Sequence, residues 1–345
     1  MPATPGRPRG SVAAALAVVY VTWGSTFVAM RVAVRGLPPL TLSGVRFLIA
    51  GLLLYGWCQW QRHRHPEAGW RNLTRREWRA SAILGLALPA AGTGGATWAE
   101  QKVGAGTAAL LLASIPVWMI IASRVADRER ITIRTAGGMI LGVAGVGVLI
   151  NPFTGRPPNL LASGVALGGA LAWGCGSVYA KRAPHPAQPL LASGAEMTCA
   201  GVALCLIGAT SGEFGRISGA SLVSASGLAL GYLIVFGSLL GYSTYEWLLH
   251  HASSQLAGTY AFVSPLVAVI LGWWLLGEQI SALTWLAAGA ISVGVALIML
   301  HPRPALKRLD EPGARARSYR RGGNHGGPPA GATHPPAVTE EVQGP

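Results

Sequence analysis

The sequence predicts an all-α integral membrane protein: ten transmembrane helices arranged as two inverted five-helix repeats. Three observations carry that prediction. Hydrophobic residues make up 51% of the 345 positions and charged residues 12%, about half the charged share of a soluble chain and too little to give a soluble core a polar shell. The apolar residues gather into ten runs, each near the roughly 20 residues that a bilayer core requires. The second half of the chain also echoes the first, with its loop charges removed.

The elements follow in order. Residues 11–30 form an uncharged run behind Arg7 and Arg9. A signal peptide begins this way too, but the run exceeds the ~7–15 residues of a signal core and nine more follow, so it reads as a retained helix. Runs at 42–60, 81–98, 107–123 and 135–150 complete a first repeat over residues 11–150, behind a cytoplasmic N-terminus of residues 1–10. Runs at 161–180, 190–209, 222–245, 257–276 and 282–300 make a second repeat over residues 160–300. The stretch from Ile217 to Gly277 is too long for one helix, and residues 250–255 are its natural break. Residues 301–345 read as a disordered cytoplasmic tail, first basic and then rich in Gly and Pro, its basic part lying against anionic headgroups. Runs such as Gly92-Thr93-Gly94-Gly95 read as close helix contacts. Cys58, Cys175, Cys199 and Cys205 match no metal or disulfide spacing and read as small apolar packing residues.

Lysine and arginine set the orientation. With the N-terminus inside, twenty-one of the 27 fall in cytoplasmic segments. Arg31, Arg35, Lys102, Arg156 and Arg216 fall outside, and Arg46 lies within a span. Both termini are therefore expected in the cytoplasm, in a multi-pass protein of the plasma or inner membrane. The formal charge of +14 sits in short loops and chain ends, which argues for the lipid bilayer as partner and against nucleic acid.

A shift of 149 residues places Gly92 on Gly241, Trp98 on Trp247, Pro116 on Pro265, Glu129 on Glu278 and Gly145 on Gly294. One residue more places Trp23-Gly24 on Trp173-Gly174. Five spans per repeat is an odd number, so the two copies are expected to cross the membrane in opposite senses. The charges agree independently. Arg124, Arg128, Arg130 and Arg134 become Trp273, Gly277, Gln279 and Leu283, as the positive-inside bias requires of a loop that changes sides. Inverted repeats typify secondary carriers, with the substrate site near the midplane between the halves.

Trp23-Gly24-Ser25-Thr26-Phe27, Val45-Arg46-Phe47-Leu48, the twin Pro116 and Pro265 spans, Trp98-Ala99-Glu100-Gln101 and the segment 259–265 together resemble the EamA branch of the drug/metabolite transporter superfamily. The resemblance covers about residues 11–300. It implies two EamA repeats of five helices with both termini inside, and mostly export of small metabolites such as amino acids. Residues 124–129 depart from the family's apolar-Gly-Glu at the cytoplasmic end of the fourth span.

Ionisable groups at membrane depth are costly, which makes each a functional candidate. Glu196 lies mid-span, with thirteen uncharged residues before it and sixteen after. It either exchanges a proton that couples substrate movement to the pH gradient or is a hydrogen-bonded structural carboxyl. Glu246, beside Tyr242, Tyr245 and Trp247 near the inner end of the eighth span, is either functional or reaches interfacial water. Glu100, next to Lys102, reads as a surface carboxyl. Arg46, near the outer end of the second span, pairs with a substrate carboxylate, pairs with Glu196, or snorkels to the interface. Pro116 and Pro265 remove a backbone donor within the fourth and ninth spans, marking either a gating hinge or a fixed packing kink. Trp23, Trp98, Trp173, Tyr179, Tyr242 and Tyr260 are candidates to line a cavity and stack on an amphipathic substrate.

No Walker motif, zinc spacing or nucleotide-binding glycine loop occurs, so no cofactor or metal is expected and ATP-driven transport has no support. The sequence thus reads as a secondary carrier of a small molecule, an exporter of amino acids, amphipathic drugs or related compounds, with protons as candidate coupling partner. Import of similar compounds is the alternative within the class. An intramembrane enzyme would need a nucleophile and a base converging at one depth, and a scaffold has no use for an inverted repeat.

Overall fold

The computed structural model describes residues 9–66, 71–103, 111, 112, 114–127, 132–150, 159–184, 186, 188–276 and 282–299. Among these there is no strand. The expectations that fall on Arg7, Arg128, Glu129, Arg130, Arg156, Glu278 and the tail lie outside the described residues.

The first half holds α1 (Arg9–Ala33) and α2 (Pro39–Arg64), followed by α3, which runs as Arg75–Gly85, a π-helical stretch Leu86–Gly94, and Gly95–Val103. After it come α4 (Ile115–Asp127) and α5 (Ile133–Ile150). The second half holds α6 (Leu160–Ala180) and α7 (Pro189–Thr210), then α8, built as Ala225–Tyr232, a π-helical stretch Leu233–Leu240, and Gly241–His251. α9 (Tyr260–Leu276) and α10 (Ala282–Met299) follow. Five of them, α1, α2, α6, α7 and α8, are long and apolar enough to cross a bilayer by length and composition. Large apolar side chains such as Leu52, Leu53, Leu206 and Leu228 are exposed, as suits lipid-facing positions.

Local chemistry fixes the helix ends. Pro39 opens α2, where its missing N–H would have had no helical partner. Later in the first turn, the Thr41 amide and hydroxyl bond to Glu213 Oε2 at 2.7 and 3.0 Å, which sets a carboxylate at the positive end of α2. α7 ends on Gly212, whose φ of 73° suits the left-handed position after a helix. Thr74 and Glu77 form a capping box at the start of α3. There the Glu77 carboxylate also takes Arg71 at 2.8 and 2.5 Å, and that hydrogen bond leads in pulling its pKa down to about 2.

Several details refine the sequence expectations. Pro116 is the second residue of α4, after a turn at Ser114 that separates it from the helical residues Leu111 and Leu112, so it stands at a break in the helical path. Pro265 does lie inside α9, but its side chain is outside the described residues. α8 continues to His251, beyond the expected 245, and the chain breaks at Ala252 and Ser253, inside the expected 250–255, before Ser254–Ala257 adds a single turn ahead of α9. The two π-helical stretches were not anticipated; one contains Pro89, the other no proline.

Packing repeats between the halves. α2 packs on α7 and α5 on α10; α1 packs on α8 and α9 as α6 packs on α3 and α4. The glycines show how closely. A methyl on Gly44 would overlap Cys205, one on Gly51 would overlap Thr198, one on Gly194 would overlap Tyr55, and one on Gly201 would overlap Leu48. Contact positions rise along α2 as they fall along α7, so these equivalent helices run antiparallel. Adding 150 converts the pair Gly44/Tyr55 into Gly194/Cys205 and Gly51/Leu48 into Gly201/Thr198. The same exchange relates Gly24, set against Val267, to Gly174, set against Trp118. It also relates Gly92, set against the Trp173 ring, to Gly241, set against the Trp23 ring.

Candidate functional site

Where α1, α3, α6 and α9 meet, residues of both halves line a cavity of about 90 Å³. One face of α1 supplies Trp23, Thr26, Phe27 and Met30 at helical spacing. Arg46 comes from α2, Gly92, Thr93 and Ala96 from α3, and Tyr260, Ala261 and Ser264 from α9; Leu112, Ile115 and Trp173 complete the wall.

Trp23, Trp173, Tyr245 and Tyr260 form an aromatic cluster at one end. Trp23 meets Tyr260 edge-on at 4.5 Å and Trp173 at 5.5 Å, and Tyr245 lies 5.0 Å from Trp23 and 5.2 Å from Tyr260. Such edge-on pairs add to simple burial. Their polar tips are satisfied. Trp23 Nε1 donates to the Gly237 carbonyl in the π-helical stretch of α8 at 3.1 Å, and Trp173 Nε1 donates to Tyr245 Oη at 3.1 Å. Ser177 Oγ also bonds Tyr245 Oη, at 2.8 Å. Tyr20 Oη meets Thr259 Oγ1 at 2.6 Å just beyond the cluster.

Arg46 is 4% exposed, so it faces the protein interior and does not snorkel. Its Nε donates to Ser238 Oγ at 2.7 Å and its guanidinium lies 4.9 Å from the centre of the Phe47 ring, a cation–π distance. Glu196 is fully buried. Its Oε2 accepts from the Tyr242 hydroxyl at 2.7 Å, while Oε1 has no hydrogen-bond partner among the described residues. Close by, Glu246 is also buried, with both oxygens lacking a hydrogen-bond partner there and His250 Nε2 3.5 Å from Oε1. Glu246 therefore does not itself reach interfacial water.

Arg46 and Glu196 occupy equivalent positions, 150 residues apart. They are not a pair. α2 and α7 run antiparallel with position 53 opposite 196, so the two charges stand about seven residues, or ~10 Å, apart along the helices. Trp98 instead packs against the Ala99, Ala162 and Ala166 cluster, and Tyr179 is exposed; neither lines the cavity. Tyr242 serves Glu196, and the Glu100 side chain lies outside the described residues. Thr26, Thr93 and Ser264 in the cavity wall, and Tyr245 in the aromatic cluster, are absent from the sequence-based candidates. The signal for Thr26 was its place three residues after Trp23 on one helical face, and for Tyr245 its place beside Glu246.

Comparison with known proteins adds the following. The model of the EamA-like transporter family matches residues 10–151 and again 160–300. The uncharacterized inner membrane transporter YedA of Escherichia coli is 37% identical over 288 residues, 83% of this chain and 90% of that protein. A chloroplastic WAT1-related protein of Arabidopsis thaliana is 26% identical over 81% of this chain and 67% of its own length. The uncharacterized transporter YvbV of Bacillus subtilis is 25% identical over 76% and 83%. A solved crystal structure superposes with a TM-score of 0.69 at 17% identity, covering 86% of this chain and all of that one, a likeness of fold.

Proposed function

The chain belongs to the EamA-like transporter family and is a multi-pass membrane transporter, and on that premise we propose that it is a secondary carrier exporting small organic metabolites by alternating access. In this reading all ten helices cross the bilayer, the two repeats have opposite senses, and both termini are cytoplasmic. The observation that carries the reading is the cavity, which draws its walls from both halves and ends on an aromatic cluster that also joins both halves. With the N-terminus inside, Met30, Arg46 and Leu112 lie toward the outer ends of their helices. The cavity then opens outward, and the aromatic cluster closes it from the cytoplasm. Exchanging the roles of the two repeats gives the inward-open state.

Glu196 is the coupling group in this scheme. It sits off the cavity with one free oxygen, and Tyr242, Glu246 and the partly exposed His250 lie between it and the inner end of α8. Intramembrane carboxyls of this kind serve proton relays. The test is flux into proteoliposomes under an imposed pH gradient, across labelled amino acids and amphipathic compounds. Wild-type protein moves at least one compound faster with the gradient than without it. Glu196→Gln keeps the Tyr242 bond and the fold, yet loses the gradient dependence; undiminished gradient-driven flux in that variant contradicts the coupling role. Comparing right-side-out with inside-out vesicles separates export from import.

A further inference from the structure

We infer that the cavity selects organic anions: Arg46 receives the carboxylate of an amphipathic acid whose apolar body lies on Trp23, Trp173 and Tyr260. The inference rests on the carrier reading above and narrows its substrate class by charge.

Arg46 carries the cavity's single fixed charge among its described lining residues, since every other lining residue is uncharged. An arginine keeps its charge at neutral pH. Among the described residues no carboxylate pairs with this one; its contacts are the Ser238 hydroxyl and the Phe47 ring. A buried cation without a counter-charge is expensive, and a ligand carboxylate relieves that cost.

The local architecture presents the guanidinium for this use. Ser238 takes Nε and leaves both Nη groups, the fork that binds a carboxylate with two parallel hydrogen bonds. Gly237 makes room, because a methyl there would lie 2.5 Å from Nη2. Both residues come from the π-helical stretch of α8, so that irregular segment holds Arg46 in place. An organic cation finds no counter-charge here and meets Arg46 as a like charge.

The test is titration of the intrinsic tryptophan fluorescence of the full-length protein in nanodiscs, Trp23 and Trp173 being the reporters. The probes are 3-phenylpropanoate, its primary amide and the matching amine, together with L-phenylalanine and L-phenylalaninamide. A charge-assisted pair of about 1.5–3 kcal/mol corresponds to roughly 10–150-fold, so each acid that binds should exceed its amide by that factor, and the amine should bind weakest. Tighter binding of phenylpropanoate marks simple organic acids as the ligand; tighter binding of phenylalanine marks amino acids. Arg46→Gln should erase the preference of acid over amide, and Arg46→Lys should keep part of it. Gly237→Ala should lower affinity for the acid more than for the amide, and it guards against misfolding of the arginine variants. Equal binding of acid and amide, preference for the amine, or an acid preference that survives Arg46→Gln overturns the inference. If neutral or cationic compounds are moved in proteoliposomes with no preference for acids, this inference fails while the carrier reading stands. Absence of both binding and flux from monodisperse protein counts against both.

Discussion

At the scale of single residues, the same repeat position holds Arg46 in one half and Glu196 in the other, and their surroundings differ accordingly. Glu196 was legible because a carboxyl with so many uncharged neighbours on either side has to sit within a span. Its partner was not, since Tyr242 reaches it only through the packing of α8 on α7. Ser238 was hidden for the same reason, lying 192 positions from Arg46. Outside the apolar spans, Glu77 allows a pH prediction. The bond from Arg71 comes first, and with the Thr74 bonds it outweighs burial, holding the folded pKa near 2 against an ordinary 4.5. A group depressed in this way contributes its stability in full above about pH 4.5, and the contribution is lost as pH falls toward 2. Glu77→Gln should therefore lower the melting temperature by a constant amount between pH 5 and 8. That deficit should narrow as pH drops below 4.5; a deficit independent of pH down to 3 contradicts the assignment.

At the scale of elements, the α2–α7 crossing depends on glycine at matched positions. Gly51 and Gly201 each face the backbone of the partner helix, and neither Thr198 nor Leu48 can withdraw its backbone to admit a methyl. Gly51→Ala and Gly201→Ala should each cost about 1–3 kcal/mol by overpacking, and by the repeat relation they should cost similar amounts. Gly56→Ala, with open space beside it, should change stability by no more than about 0.5 kcal/mol. Thermal unfolding in detergent measures all three, and equal stability of the three variants contradicts the packing described. The helix positions themselves were largely readable from apolar run length. The π-helical stretches were not, because an extra residue per turn leaves the hydrophobic run unchanged and α8 has no proline to mark it. Pro116 leaves two readings open for a related reason. Proline is equally at home at the start of a helix and at a kink, and the sequence does not say where the helix begins.

At the scale of the molecule, the repeat explains why a single cavity draws on α1, α3, α6 and α9, and why antiparallel α2 and α7 lie beside it. The repeat was visible in sparse matches such as Trp23 with Trp173, but the contacts between glycine and ring that these matches serve needed the packed helices to appear. Alternating access requires the cavity to be reached from both sides of the membrane, one side at a time. Thr93→Cys, in a background with Cys58, Cys175, Cys199 and Cys205 replaced, places a thiol in the cavity wall. Labelling it with a membrane-impermeant maleimide in right-side-out and inside-out vesicles is the most direct measurement. Alternating access predicts labelling from both faces, with a transported ligand slowing one and speeding the other. Labelling from a single face, unaffected by any transported ligand, would contradict it.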